Sequence, residues 1–128
     1  MRLLLDTHAF LWWLEGNRQL SRKARSAIGD PTAAVFVSAA SAWEIATKFR
    51  LGKLSGAAAI VNDIAGAVAS QAFSPLAITL AHAQRAGLLP GAHRDPFDRM
   101  LIAQAQAEDL ALITNETVFD GYGIRRIW

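Results

Sequence analysis

Short apolar runs alternate along this chain with longer segments in which apolar residues recur at helical spacing. A continuous apolar run bounded by polar residues or turns predicts a buried strand. We predict such strands at residues 3–5, 35–38, 76–78, 111–114 and 123–127. Strands that alternate with helices are typical of a parallel sheet covered on both faces, so we expect an α/β fold.

Capping residues and glycines predict where the helices begin and end. Ser21 and the pair Asp95-Pro96 are typical helix starts, whereas Gly16 and Gly29 are typical helix ends. We predict helices over residues 9–15, 21–28, 41–50, 57–71, 80–86 and 96–108, and a short helical turn at 116–119. The longest irregular connection is 89–94, and it leads directly into the helix that Asp95 begins.

Composition narrows the class of protein. The chain has 128 residues, of which 52% are hydrophobic and 19% charged, so we expect a single well-packed domain over residues 1–128. It has no cysteine, which excludes disulfides and thiolate metal sites and fits a reducing compartment. Neither a secretory signal nor an uncharged stretch of membrane-spanning length is present, so we expect a cytoplasmic protein with no membrane partner.

Four acidic residues lie far apart in the sequence but at equivalent positions of the predicted fold. Asp6 and Glu116 follow strands, Glu44 lies in the first turns of a helix after a strand, and Asp98 lies at the start of a helix. In a parallel sheet the carboxyl ends of strands and the N-termini of the crossover helices share one edge. Carboxylates that meet there repel unless a cation lies between them, so we expect a divalent metal site.

Each acid also has a purely structural interpretation. Asp6 can cap the first helix, and Glu44 can form an ion pair with the lysine one turn later, which is worth about 0.2–0.5 kcal/mol. Asp95 fits an N-cap with Asp98 in the first helical turn, where the helix dipole favours an acid. An acid in a loop after a strand, like Glu116, is ordinary.

Oxygen ligands suit Mg²⁺ or Mn²⁺, which can polarise a phosphoryl oxygen and activate water, so hydrolysis of a phosphodiester fits the four acids. The hydroxyls of Thr7 and Thr114 can orient the carboxylates. Positive charge surrounds the acids although the net charge is only +2, and the candidates for contact with a nucleic-acid backbone are Lys48, Arg94 and Arg99. The histidines lack the H-E-x-x-H spacing of zinc proteases, no glycine-rich phosphate loop is present, and Asp6-Thr7-His8 lacks the D-x-D of haloacid-type phosphatases.

Four strings together carry a resemblance to a known family. They are LLDTHAFLWWL, SAWEIATKFRLGKL, LLPGAHRDPFDRMLIAQA and LALITNETVFDGYGIRRIW, and they extend from the first strand to the last residue. In this order they resemble a PIN-domain ribonuclease, specifically a VapC-type toxin of bacterial toxin–antitoxin pairs. The resemblance implies a three-layer α/β/α sandwich with a central, mainly parallel sheet of about five strands.

The resemblance also implies roles for individual residues. Asp6, Glu44 and Asp98 match the acids that bind Mg²⁺ or Mn²⁺ and, with Glu116, form the catalytic set that cleaves RNA. The family usually has an aspartate where this chain has Glu116. Asp95 belongs to the D-P-F-D string, with a structural role and an indirect influence on the site. The family further implies a homodimer and a separate cognate antitoxin. The alternative is a PIN-like module that binds RNA or protein without catalysis.

Overall fold

The computed structural model describes the whole chain, Met1–Trp128, and contains five strands and six α-helices. The strands are β1 (Arg2–Leu5), β2 (Ala34–Ser38), β3 (Ser74–Leu76), β4 (Ala111–Ile113) and β5 (Arg126–Ile127). The helices are α1 (Thr7–Glu15), α2 (Arg22–Gly29), α3 (Ala39–Arg50), α4 (Ile64–Ser70), α5 (Leu80–Leu88) and α6 (Pro96–Glu108). Two short 3₁₀ segments span Ser55–Ala57 and Thr117–Tyr122.

The five strands form one sheet in the order β3-β2-β1-β4-β5, and all four pairings are parallel. Alternate residues of a strand face opposite sides of the sheet, and β1 shows this directly. Leu3 and Leu5 belong to a core that includes residues of α1, α2, α3 and α4, whereas Leu4 belongs to a second core with α6. Helix α5 packs on α6. The expected α/β/α sandwich with a parallel five-stranded sheet is therefore confirmed.

The prediction of one helix over residues 57–71 is wrong. The chain there makes tight turns, such as those from Ile60 N–H to Ala57 O and from Asp63 N–H to Ile60 O, before α4 begins at Ile64. Asp63 caps this new start, because its carboxylate accepts a hydrogen bond from the Gly66 N–H at 2.9 Å. An aspartate that caps its own helix interrupts the alanine-rich pattern.

Two strand predictions shift at the edges of the sheet. β3 lies at Ser74–Leu76 rather than at 76–78, because Phe73 enters the core and pairing with β2 ends at Leu76. β5 covers only Arg126–Ile127 rather than 123–127, since Gly123 closes the preceding 3₁₀ segment at φ +70°. The helical turn predicted at 116–119 begins one residue later. No helix is both long and apolar enough to cross a membrane.

Candidate active site at the carboxyl edge of the sheet

Four chain segments meet where β1, β2 and β4 end. The strand order reverses between β1 and β4, and in open parallel sheets this is where ligands bind. Asp6 directly follows β1, Glu44 lies on α3 after β2, and Glu116 lies just beyond β4. Asp98 lies in the first turn of α6. The topology thus brings the four predicted acids to one edge.

Asp6 has two roles at once. Its carboxylate accepts a hydrogen bond from the Ala9 N–H at 2.8 Å and caps α1, as the structural interpretation predicts. Its own N–H donates to Ile113 O of β4 at 3.1 Å, so the residue is fixed between the two central strands. Asp6 is only 7% exposed. It is therefore a buried cap whose carboxylate also lines the site.

Glu44 is buried and engaged at both carboxylate oxygens. The Thr7 hydroxyl donates to Oε1 at 2.5 Å, and the Lys48 ammonium forms the predicted i,i+4 ion pair with Oε2. The first contact joins the start of α1 to the middle of α3. Thr7 thus orients Glu44, while Lys48 brings one positive charge to the site.

The start of α6 is the helix cap that the sequence predicts. Asp95 Oδ1 accepts hydrogen bonds from the N–H groups of Phe97 at 2.9 Å and Asp98 at 3.2 Å, with Pro96 at the first helical position. The backbone of Asp98 is therefore fixed by the cap. Its side chain contacts His93, whose Nε2 lies 2.9 Å from Asp98 Oδ2.

These residues enclose a cleft of about 50 Å³, lined by Asp6, Thr7, His8, Glu44, Lys48, Asp95, Asp98 and Glu116. Five of these eight residues are carboxylates and one is a lysine. A larger cleft of about 510 Å³ lies elsewhere, and Asp109 is the one carboxylate among its lining residues, beside Arg2 and Arg125. Chemical composition rather than size therefore distinguishes the acidic cleft.

Asp6 shows the electrostatic cost of this arrangement. Burial raises the pKa of Asp6 from an ordinary 3.8 to about 6. Hydrogen bonding to the Thr114 side chain and to the Ala9 N–H opposes this rise, and the charges of Glu116 and Glu44 add to it. Loss of hydration and like charges both disfavour the ionised form. A nearby cation would relieve both effects.

Asp98 behaves in the same way. Burial raises the pKa of Asp98 to about 6, the hydrogen bond from His93 lowers it, and the charges of Asp95, Glu116 and Glu44 raise it. Although the Glu116 side chain is exposed, its charge reaches both aspartates. Glu116 is therefore electrostatically part of the cluster.

Lys48 responds in the opposite sense. Partial burial lowers its pKa, but the hydrogen bond to Glu44 and the charges of Glu44, Asp95 and Asp98 outweigh this effect and raise it. The ammonium therefore remains protonated in the cleft. One such charge only partly balances five carboxylates.

The other predicted residues have different surroundings. Thr114 is fully buried beside Asp6, and its Oγ1 accepts a hydrogen bond from the Glu116 N–H at 3.1 Å. Arg94 is exposed and does not line the cleft. The interpretation of Arg99 as a backbone-binding residue does not fit its contacts. Its guanidinium donates to the carbonyls of Ala86, His93 and Leu89 at 3.1, 3.0 and 2.6 Å.

Two histidines at the cleft were not among the predicted site residues. His8 lines the cleft and lies against Trp12, with ring centroids 5.5 Å apart. His93 contacts Asp98 from the connection before α6. The available signal was the position of His93 in H-R-D-P-F-D, five residues before Asp98.

Comparisons with known proteins identify the family of this chain. The sequence matches the family model described as the PIN domain over residues 3–124, so the chain belongs to the PIN-domain family. No curated protein sequence matches the chain at a significant level.

Several solved structures share the fold. A chain of VapBC2 from Rickettsia felis, bound to a promoter DNA fragment, has a TM-score of 0.69 at 12% identity and covers 98% of this chain and 97% of its own. A chain of DNA-bound VapBC from Salmonella typhimurium has a TM-score of 0.67 at 18% identity, and the match covers 98% of this chain and 96% of that chain. The sarcin-ricin loop cleaving toxin VapC20 from Mycobacterium tuberculosis has a TM-score of 0.64 at 13% identity, and the match covers 95% of both chains. At these identities the likeness concerns the fold.

Proposed function

We propose that this chain is a metal-dependent endoribonuclease, the toxin component of a toxin–antitoxin pair, acting in the cytoplasm. The observation that carries the proposal is the cleft in which five carboxylates meet at the carboxyl edge of a PIN-domain sheet. Strongly perturbed carboxylates in a cleft are a sign of a functional site. Similarity in fold to VapC20, described as a toxin that cleaves the sarcin-ricin loop, supports RNA as the substrate class.

The composition of the cleft fits a hard divalent cation such as Mg²⁺ or Mn²⁺, because the acidic ligands are all oxygen donors. No three acidic or histidine side chains converge on one point closely enough to enclose an ion. Mg²⁺ takes about one or two carboxylates directly and retains several waters, so the other acids of the cleft can act through those waters. Such an ion supplies Lewis acidity toward a phosphate oxygen and acidifies water.

The chain's own residues divide the remaining work. Asp6, Glu44 and Asp98 provide the ligands of the cation, with about one or two of them binding it directly and the rest through its waters. Glu116 lines the same cleft and is more exposed than these three. With the cation bound, the ionised carboxylates of Asp6 and Asp98 can also accept hydrogen bonds from its waters. Thr7 orients Glu44.

Lys48 in the cleft and Arg94 outside it are the basic residues that suit a polyanionic substrate. The side chain of Lys48 is 35% exposed and borders the acids, so it can reach a phosphate when the cation engages Glu44. Arg94 is exposed and adjoins Asp95 in sequence. Contacts of this kind position the backbone and do not read base sequence. Arg99 does not contact the phosphate in this proposal, because its guanidinium already donates to three backbone carbonyls.

The test is RNA cleavage by purified protein with EDTA, Mg²⁺ or Mn²⁺. We expect products only with a divalent ion and loss of cleavage by at least 100-fold in Asp6→Asn and Asp98→Asn, which remove the charge and keep the shape. The matched control is Asp63→Asn, an exposed helix-cap aspartate outside the cleft, which should cleave normally. Undiminished cleavage by both cleft variants would contradict the proposal, and retention of RNA on a filter without metal-dependent product would favour a binding module.

The proposed homodimer and antitoxin contact need apolar surface, and exposed apolar side chains are present. Leu80 and Leu88 of α5 are 90% and 75% exposed, and Trp43 of α3 is 61% exposed. Exposed apolar groups of this size mark interaction sites when they are contiguous. The VapBC structures that share the fold contain an antitoxin, which supports such a partner here.

Light scattering after size exclusion tests the homodimer. We expect a dimer that Leu80→Ser with Leu88→Ser converts to monomer. Val118→Ser, an exposed apolar residue elsewhere on the surface, is the matched control and should remain dimeric. A monomeric wild type at every concentration would refute this assembly without touching the nuclease proposal.

A further inference from the structure

His93 makes a directed contact with one of the acids of the cleft. Its Nε2 donates to Asp98 Oδ2 at 2.9 Å, and the two side chains are only 18% and 17% exposed. No protein donor reaches the other carboxylate oxygen of Asp98, Oδ1. One oxygen is therefore occupied by the protein and one remains free.

The position of His93 is itself fixed from two sides. Arg99 Nη1 donates to the His93 carbonyl at 3.0 Å, and the same guanidinium holds Ala86 O and Leu89 O. One side chain of α6 thus binds the last turn of α5 and two carbonyls, those of Leu89 and His93, in the connection that follows it. The imidazole ring meets the fully buried ring of Phe119 edge-on, with centroids 6.3 Å apart. Backbone and ring are each restrained before the contact with Asp98 is made.

The helix cap and the imidazole fix different parts of Asp98. Asp95 holds the Asp98 N–H, which sets the backbone, but this leaves the rotation of the side chain open. The hydrogen bond from His93 restricts that rotation. Hydrogen bonds from outside the ligand set orient ligands in this way, and their removal typically weakens metal affinity by about 10- to 100-fold.

We propose that His93 is a positioning residue that turns Asp98 so that its Oδ1 is presented to the divalent cation. This rests on the proposed function, because it assumes that Asp98 is a ligand. Arg99 supports this arrangement indirectly, because its hydrogen bonds fix the backbone of the segment that contains His93. The contact at His93 explains why a histidine precedes the D-P-F-D turn, and the contacts of Arg99 explain an arginine directly after it.

The experiment titrates full-length protein with Mn²⁺ and follows free ion by electron paramagnetic resonance, a readout independent of cleavage. His93→Leu should weaken Mn²⁺ binding by about 10-fold or more. His93→Gln, whose Nε2 amide can donate from nearly the same place, should recover most of the affinity. In the Asp98→Asn background, His93→Leu should have no further effect, because the histidine acts only through Asp98.

The outcomes separate the two proposals. A wild type that binds no Mn²⁺ would sink the proposed metal site itself. Binding by wild type and His93→Leu within twofold of each other, or equal losses from His93→Leu with and without Asp98→Asn, would refute positioning alone. If His93→Leu does not fold, His93→Asn takes its place: this side chain is too short to reach Asp98 Oδ2 and should show the same loss.

Discussion

Replacing Asp6 by asparagine should stabilise the metal-free protein. At neutral pH the native chain holds a carboxylate that is 7% exposed and whose pKa is raised by burial to about 6. Asparagine has the same shape and can still accept the hydrogen bond from the Ala9 N–H that caps α1. The substitution removes the charge and keeps the cap.

The sign follows from the two pKa values. The folded value, about 6, lies above the ordinary 3.8, so the folded state binds more protons between them and the free energy of unfolding falls as pH rises. A pKa rise of roughly two units lowers the free energy of unfolding by at most about 3 kcal/mol, and this loss is complete above pH 6. About half of this penalty develops between pH 5 and pH 8. Because the amide is also buried, we expect a net gain of about 1–3 kcal/mol at pH 8.

Urea unfolding in EDTA at pH 5 and pH 8 measures the effect. The advantage of Asp6→Asn over wild type should grow by about 1.5 kcal/mol between these values. Asp63→Asn is matched, since Asp63 also caps a helix through its carboxylate but is exposed, and its effect should be small at both pH values. Saturating Mn²⁺ should stabilise wild type and not Asp6→Asn. An Asp6→Asn protein less stable than wild type at pH 8, or an advantage independent of pH, would refute the reasoning.

Three further substitutions test other parts of the structure by urea unfolding. Ser41→Ala should stabilise the fold by about 1 kcal/mol, because the Ser41 hydroxyl is buried without a hydrogen-bond partner, and a loss would contradict this. Arg99→Met should cost about 1–3 kcal/mol and speed amide exchange in residues 89–94, whereas unchanged exchange would count against the three carbonyl contacts. Gly91→Ala should cost about 1–2 kcal/mol, since φ is +100° and the added Cβ would lie 3.1 Å from Tyr122 Oη. Gly121→Ala, with open space and no positive φ, is its control and should cost less.

The sequence predicts the frame of the site because the relevant signals are local. The apolar runs of β1, β2 and β4 locate three strand ends, and parallel topology alone then brings Asp6, Glu44 and Glu116 to one edge. The cap at Asp95 is equally local, since Pro96 and two backbone N–H groups within three residues determine it. Properties set within one turn of chain can be read without tertiary knowledge.

The contacts that the sequence did not predict are those between residues that are more than one helical turn apart along the chain. Arg99 resembles any basic residue beside an acid, and only the fold shows that the carbonyls of Ala86 and Leu89 take its donors. The contact of His93 with Asp98 depends on how the irregular connection 89–94 folds back onto α6. The false helix over residues 57–71 has the same origin. The helix propensity of an alanine-rich segment is weak evidence for a helix, and here the cap that Asp63 forms on the Gly66 N–H overrides it.

The lysine in the cleft sharpens the argument for a cation. Lys48 pairs with Glu44 and lies close enough to Asp95 and Asp98 for their charges to act on it, yet the pKa of Asp98 is still raised to about 6. An ammonium on a flexible stem neutralises one carboxylate and leaves the others in mutual repulsion. Buried like charges destabilise the folded state, and such a loss of stability is typical of residues that are retained for activity. A divalent ion placed among Asp6, Glu44 and Asp98 would relieve the repulsion and release Lys48 toward a phosphate, so metal binding and substrate binding should strengthen one another.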